Sequence, residues 1–527
     1  MKGSREGGMK EVGEEEGRGW KRMLPRAALA ALSGVLLALS YPTFHLALLA
    51  FGALVPLLVA VEGLRARPAI ALGIITGVVF SLLSLPWLVH TMATYGGLPI
   101  PVSVLLLLAL SLYLGLYVGV FAFGVSRLAP DKALGYVVGA AGLWVGLEYL
   151  RTFLVTGFPW NLFGYTQYRN LPAIQIAALT GVYGISFLLV LANAALACAV
   201  LHFRGGSSRP FRPLVGVGLV LLGVVLFGME RLRSADTGPG AIRVAIVQGN
   251  IEQGMKWNPG SVDRTLAVYR RLSEQDRGRA DLIVWPESAV PFFLREGGPL
   301  TDKVRGVATT TRAYLLVGSP DRDEGRAPRY YNSAFLIAPT GMIVQKYDKM
   351  HLVPFGEYIP LSSVLFFVHK MAAGIGDFSA GRTFTVFELP RGRFGVLICF
   401  EAIFPDQVRR YILAGADFLV NITNDAWFGQ SAAPYQHLSM AAMRAVENGV
   451  YVVRAANTGI SALVTPTGRI VQASDLFVEA VLSVEVGRGS GRTVYTRYGD
   501  FFAWACGGIS LFVLAPWRRG RSERRQP

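Results

Sequence analysis

Two kinds of hydrophobic pattern divide the chain. Apolar residues run almost unbroken through 27–40, 44–61, 69–92, 101–126, 134–150, 181–201 and 214–228, and again through 501–517. Each run is long enough, or nearly so, to cross about 30 Å of hydrocarbon at about 1.5 Å per helical residue. After 27–40 there is no small-residue cleavage site followed by polar sequence, so this run reads as an uncleaved first helix. Between 241 and 487 the pattern changes. Short runs rich in Val and Ile end at Gly, Pro, Asn or Asp and alternate with amphipathic stretches, which reads as strands interleaved with helices. The predicted fold is a membrane α-helical bundle of about eight transmembrane helices joined to an α/β sheet-and-helix domain. The expected divisions are a disordered basic tail at 1–26, seven helices within 27–230, the α/β domain at 241–487, an eighth helix at 500–517 and a basic tail at 518–527.

Charge adds orientation to this picture. Only 16% of the residues are charged and the mean hydropathy is +0.42, so an ordinary soluble domain is excluded. The basic residues Arg65 and Arg67, Arg127 and Lys132, and Arg204, Arg209 and Arg212 mark every second loop, whereas 93–100 carries no charge. By the positive-inside rule both termini are expected in the cytoplasm and the α/β domain in the periplasm, with the chain a multi-pass protein of a bacterial inner membrane. The net charge of +16 is then a topology signal and not a nucleic-acid patch, because it punctuates apolar helices. In the membrane part, Glu148 and Arg151 are expected to form an i, i+3 ion pair near the outer end of a span.

Candidate chemistry sits at strand ends in the polar block. The strand 394–398 stops at Cys399, just before Pro405, which suits a helix start, and Gly415, which suits its close. A thiol at a strand-to-helix turn near a positive helix end is expected to favour the thiolate. Cys198 and Cys506 fall within predicted spans, so no disulfide partner for Cys399 is expected in its own domain. The strand 281–285 delivers Glu287 after Pro286, and a predicted hairpin around 339–341 delivers Lys349, with Glu357 shortly after. Glu287 suits the general base. Lys349, beside carboxylates, suits a fixed cation for a developing oxyanion, assisted by the Phe400 N–H. A Cys–His arrangement using His351 or His437 is the other possible reading. No histidine pair has zinc-ligand spacing and no phosphate loop appears, so no metal and no cofactor are expected.

The ordered set Trp285-Pro286-Glu287-Ser288, Tyr347 to Tyr358 and Ile398-Cys399-Phe400-Glu401 resembles the Glu-Lys-Cys core of the nitrilase superfamily. That resemblance implies a four-layer αββα sandwich. Placed between a seventh and an eighth membrane helix, and with 157–161, 248–251, Lys256-Trp257 and 424–429, the chain resembles the apolipoprotein N-acyltransferase family over roughly 27–517. The family often has tyrosine where Phe400 stands here. The resemblance implies catalytic Glu287, Lys349 and Cys399, with Glu357, Glu401 and Phe400 in support. It also implies a phospholipid acyl donor, with phosphatidylethanolamine expected, and a diacylglyceryl-apolipoprotein acceptor. The acyl chain would pass through a Cys399 thioester by ping-pong kinetics. Trp257, Trp427, Phe428 and Asn424 are expected at the substrate, and Trp160 there or in an interfacial aromatic belt. The apolar stretches 360–373 and 426–429 are expected to act as lids facing the bilayer. A monomer is expected. A membrane-tethered amidase or nitrile hydrolase and a non-catalytic transporter or scaffold are the competing classes.

Overall fold

The computed structural model describes residues 23–42, 44–205, 211–234, 242–256, 259–323, 328–358, 377–487, 489 and 491–515. Among them, six helices are long and apolar enough to cross a membrane: α1 (Met23–Ser40), α2 (Ala66–Ser84), α3 (Ile100–Val125), α4 (Ala133–Arg151), α5 (Val182–Arg204) and α6 (Arg212–Ser234). α1 begins inside the stretch read as a tail, because Met23 and Leu24 extend its apolar run. Helices apolar on every side suit lipid on one face and protein on the other. On α3, for example, Leu105, Leu112 and Leu116 are exposed while Leu107 and Leu114 are buried. α2 and α3 touch through small residues: a Cβ on Gly77 would lie 2.6 Å from the Cα of Gly115. Close backbone approach of this kind is how membrane helices gain packing without a hydrophobic driving force.

Two expected spans come out shorter than the sequence suggests. The run at 44–61 breaks at Gly52 into a 3₁₀ helix, Ala47–Phe51, and a six-residue helix, Val55–Ala60. The last apolar helix, Phe501–Leu514, has 14 residues, or about 21 Å of helical rise. Six described helices therefore meet the length of a straight crossing, where about eight were expected. α2 also stops short of the expected 92, because Pro86 cannot continue it.

The α/β domain has two six-stranded sheets. The first runs β12-β1-β2-β3-β4-β5, from β1 (Ile242–Gln248), β2 (Leu282–Val284), β3 (Tyr314–Arg322), β4 (Tyr330–Ile337), β5 (Ile343–Asp348) and β12 (Ala480–Val486). The second runs β11-β10-β9-β8-β7-β6, from β6 (Val386–Leu389), β7 (Gly392–Ile398), β8 (Phe418–Thr423), β9 (Val452–Ala456), β10 (Ala462–Val464) and β11 (Ile470–Ala473). β1, β2 and β3 are parallel, as are β7, β8 and β9; the outer pairs are antiparallel.

Period-2 alternation sorts the layers. Ala245, Val247, Ile283, Leu315 and Val317 pack with α7 (Val262–Glu274) and α8 (Pro299–Thr311) on the outer face of the first sheet. Their neighbours Val244, Ile246, Leu282 and Leu316 turn the other way, into one core with Phe394, Val396, Phe418 and Val420 of the second sheet. α9 (Pro405–Leu413) and α10 (Ala433–Asn448) bury Val408, Tyr411, Met440 and Met443 in that same cluster. The order helix, sheet, sheet, helix is the expected αββα sandwich. The cluster continues into the membrane helices, so the second sheet's helical layer is also the floor on which the bundle sits.

Candidate active site

Cys399 follows the last residue of β7 and adopts φ +52°, a left-handed conformation rare outside glycine. A 3₁₀ turn, Cys399–Ile403, then leads through Phe404 to Pro405 at the start of α9. The elbow is buried at the end of a parallel strand, where strand ends open toward ligands in α/β sheets. Burial pushes the Cys399 thiol up, and the Glu287 charge adds to this against the opposing pull of Lys349. Burial thus opposes the thiolate that a positive helix end would favour.

Glu287 stands three residues beyond β2, in a turn that crosses close over β3. A Cβ on Gly318 would lie 2.7 Å from the Glu287 Cα, so only glycine fits there. Glu287 Oε1 accepts from Asn332 Nδ2 at 2.7 Å and lies 3.5 Å from Lys349 Nζ; Oε2 accepts from the Asn424 N–H at 3.0 Å. Lys349, one residue past β5, is 1% exposed and donates to Glu357 at 2.9 Å. Burial alone would lower its pKa, but the Glu357 and Glu287 carboxylates reverse this and hold the ammonium firmly protonated. Glu357 also accepts from Asn332 Nδ2 at 2.8 Å and from the Val353 N–H at 2.8 Å. Asn332 on β4 thus clamps both carboxylates from one amide group. Sequence reasoning missed it.

Glu401 is fully buried and serves a different end. Its Oε1 accepts from Tyr347 Oη at 2.6 Å, the Met350 N–H at 2.8 Å and the His351 N–H at 3.1 Å, as well as Gln407 Nε2 at 2.8 Å. Its Oε2 accepts from the Ile398 N–H at 2.8 Å. It ties the cysteine elbow to the strand that carries Lys349. Burial raises its pKa against these donors.

A second group lies beneath the elbow, and it includes His437, named above only as a possible base. His437 on α10 places Nε2 3.1 Å from the Cys399 carbonyl oxygen, which can only accept, so Nε2 carries the proton. Its Nδ1 lies 3.1 Å from Arg454 Nη2 and 3.2 Å from the Asp425 carboxylate. Burial and the Arg454 charge hold this imidazole's pKa down, in keeping with a neutral ring. Arg454 also donates to Asp425 at 2.6 Å and to Asn421 Oδ1, and Asn421 Nδ2 donates to the Leu397 carbonyl at 3.0 Å. His351 stacks on Phe404 at 3.7 Å. Among the described residues no imidazole hydrogen-bonds to the sulfur, which leaves the Cys–His reading without geometry.

The aromatic candidates lie where the domain meets the bundle. Trp160 is 2% exposed, donates from Nε1 to Gln436 at 2.8 Å, and packs against Trp87, Phe428 and His437. It is an interface residue, not part of an exposed belt. The tip at 426–429 rests on protein: Trp427 meets Tyr95 edge-on at 5.0 Å, its carbonyl accepts from Thr91 at 2.9 Å, and Phe428 meets Trp87 at 4.8 Å. Both rings stay partly exposed. Asn424 spends its side chain on Gln253 at 2.6 Å and Asn457 at 3.1 Å, and its N–H on Glu287. The Phe400 ring packs beside His351 and Phe404. Trp257 and the stretch 360–373 lie outside the described residues. The Glu148–Arg151 ion pair does not form. Glu148 accepts instead from the Phe163 N–H at 2.7 Å, and Arg151 reaches the Trp160 and Asn161 carbonyls at 3.4 Å.

Two sheets with a cysteine elbow facing a glutamate and a buried lysine define a domain of the carbon–nitrogen hydrolase, or nitrilase, class. Residues 243–495 match the carbon-nitrogen hydrolase family model, and residues 33–195 match that of the apolipoprotein N-acyltransferase N-terminal domain. The apolipoprotein N-acyltransferase of Geobacter metallireducens is 46% identical over 497 residues, covering 93% of this chain and 95% of that protein. The apolipoprotein N-acyltransferase of Azotobacter vinelandii is 35% identical over 523 residues, covering 97% of each. A solved amidase from Nesterenkonia sp. aligns at 20% identity with a TM-score of 0.38, covering 51% of this chain and 97% of that one. The chain belongs to the apolipoprotein N-acyltransferase family.

Proposed function

We propose that this enzyme moves an acyl chain from a membrane phospholipid to the α-amine of a diacylglyceryl-cysteine at the N-terminus of an apolipoprotein. One observation carries the reading: the Cys399 elbow, flanked by Glu287 and Lys349, sits directly on the membrane bundle through His437, Trp160 and Phe428. Glu287 takes the thiol proton as sulfur attacks the ester carbonyl, in keeping with the burial that pushes this thiol up. The oxyanion forms beside the Lys349 ammonium and the Phe400 N–H. As it collapses, Glu287 returns the proton to the departing glycerol oxygen, giving lysophospholipid and a Cys399 thioester. The acceptor amine then attacks that thioester, Glu287 takes the amine proton, and the thiolate leaves behind an amide. Ester to thioester to amide ends downhill without ATP, because the amide formed is more stable than the ester consumed. Glu357 and Asn332 hold Lys349 and Glu287 in place, and Glu401 sets the spacing between the two sheets.

The same reading covers topology and partners. The breaks at Ala47–Ala60 and the short Phe501–Leu514 helix complete eight crossings, with both termini cytoplasmic and the 241–487 domain periplasmic. Phosphatidylethanolamine is the donor and the enzyme acts as a monomer. Trp427 and Phe428, whose rings stay partly exposed, line the way to the elbow with Trp160 packed behind Phe428, and Asn424 acts through Glu287. Purified enzyme in phosphatidylethanolamine vesicles with a diacylglyceryl peptide tests this. Mass spectrometry should show N-acyl peptide and lysophospholipid appearing in equal amounts. Hydrolysis of small amides or nitriles with no peptide acylation would overturn the reading in favour of a tethered hydrolase.

A further inference from the structure

Two adjacent residues of α10 make contacts in different directions. Gln436, 1% exposed, accepts on Oε1 from Trp160 Nε1 at 2.8 Å and Trp87 Nε1 at 3.3 Å. Its Nε2 donates to the Ser84 carbonyl at 3.0 Å and the Pro42 carbonyl at 3.3 Å. One side chain thus meets the outer ends of α1 and α2, the Trp87 turn and the Trp160 loop. His437 turns toward the elbow and donates to the carbonyl of Cys399 at 3.1 Å, while its ring also packs against Trp160 at 5.7 Å. Consecutive helical residues project about 100° apart, so a single rigid turn of α10 holds both partners at once. The grip has a purpose at the elbow, because a non-glycine residue at φ +52° persists only where its surroundings hold it there.

We infer that Gln436 and His437 are positioning residues that register the Cys399 sulfur on the membrane bundle, so that an ester presented from the bilayer arrives in line with the thiol. The inference rests on the reading of Cys399 as the acyl-carrying nucleophile. Gln436 governs where the membrane-borne donor lies relative to the elbow; His437 governs the elbow itself. A displacement of about 1 Å between reacting atoms costs up to about 10²-fold in rate. The two residues should therefore fail differently. A donor that arrives from water does not depend on the bundle's register, whereas every donor depends on the elbow.

The experiment compares first-turnover acylation of Cys399 by phosphatidylethanolamine in vesicles and by p-nitrophenyl acetate, read by intact mass and by the nitrophenolate burst. The full chain is used as the parent, Gln436→Met, His437→Leu and His437→Gln, each checked for its unfolding midpoint. Gln436→Met should slow acylation by phospholipid at least about tenfold while p-nitrophenyl acetate stays within about threefold of the parent. His437→Leu should slow both donors about tenfold or more, and His437→Gln, which keeps an N–H donor, should recover most of that loss. Equal loss for both donors in Gln436→Met, or no loss for either, would overturn the inference, as would His437→Gln behaving like His437→Leu. If His437→Leu does not fold, the Gln436→Met contrast decides alone. A parent that takes no acyl group from either donor would overturn the reading of the nucleophile itself, and this inference with it.

Discussion

At the ends of the first sheet's strands, Glu287, Lys349 and Glu357 form a charged cluster braced by Asn332, whereas the second sheet ends in a buried thiol whose backbone carbonyl accepts from a buried imidazole. On the proposed reading, the charge that drives the chemistry is kept on one sheet and the reacting atom on the other. Two carboxylates cross the gap in opposite directions. Glu287, from the first sheet, is received by the Asn424 N–H beyond β8; Glu401, from the second, is received by Tyr347, Met350 and His351 around β5. The difference teaches that the spacing from Glu287 and Lys349 to the Cys399 sulfur is an inter-sheet distance, tied by these two crossings.

The largest break in this comparison is Lys349→Met. It removes the cation from a site with two buried carboxylates, so stability should fall by about 3–5 kcal/mol, and first-turnover acylation by about 10²- to 10³-fold. Denaturant unfolding in detergent and the acyl burst measure the two effects. A loss of stability with normal acylation would remove charge from the account of catalysis. Asn332→Leu comes next. Both Glu287 and Glu357 lose a donor, so about 1–3 kcal/mol of stability should go, with acylation down roughly tenfold as the base loses its orientation. Glu401→Gln keeps the side chain's shape but gives up charge-assisted acceptance; a stability loss of about 1–2 kcal/mol is expected, with acylation changed less than in Asn332→Leu. A larger loss of acylation in Glu401→Gln than in Asn332→Leu would mean that the inter-sheet brace outranks the base's own clamp.

The smallest effect is one of pH. Burial, with the Lys349 charge adding to it, holds the His351 imidazole down at about 4. An unfolded chain takes that proton near about 6.5. Stability should therefore fall as pH drops from about 6.5 to about 4, level off below, and owe nothing to this group above about 6.5. His437, also held down by burial, contributes with the same sign. In His351→Gln the fall in unfolding midpoint over that window should be shallower; an unchanged slope would show that His351 takes its proton in the folded state as readily as in the unfolded one.

The residues legible in the sequence are those at strand ends. Glu287 and Cys399 each follow a short apolar run and Lys349 follows the second strand of a hairpin, while the ordered set of motifs brings the three together. The braces were harder to see because they lie within or beside fully buried elements. Asn332 in β4, Asn421 in β8 and Arg454 in β9 are polar residues inside largely apolar strands, and a buried polar residue must have a partner. That signal was present and unread. The broken span at 44–61 is as apolar as a full crossing, and its one local signal is Pro56, which suits the start of the second helix, Val55–Ala60. Trp160, Trp427 and Phe428 were legible as aromatic, but not as the seam between domain and bundle, because a seam is a long-range contact without local periodicity.

The most direct measurement is the intact mass of the full-length enzyme after incubation with a phosphatidylethanolamine of defined chain composition, for the parent and for Cys399→Ala. The account predicts a gain of one acyl chain on the parent, labile to hydroxylamine, lost on adding a diacylglyceryl peptide and absent from Cys399→Ala. An unmodified parent that still acylates the peptide, or an adduct that persists in Cys399→Ala, would contradict it.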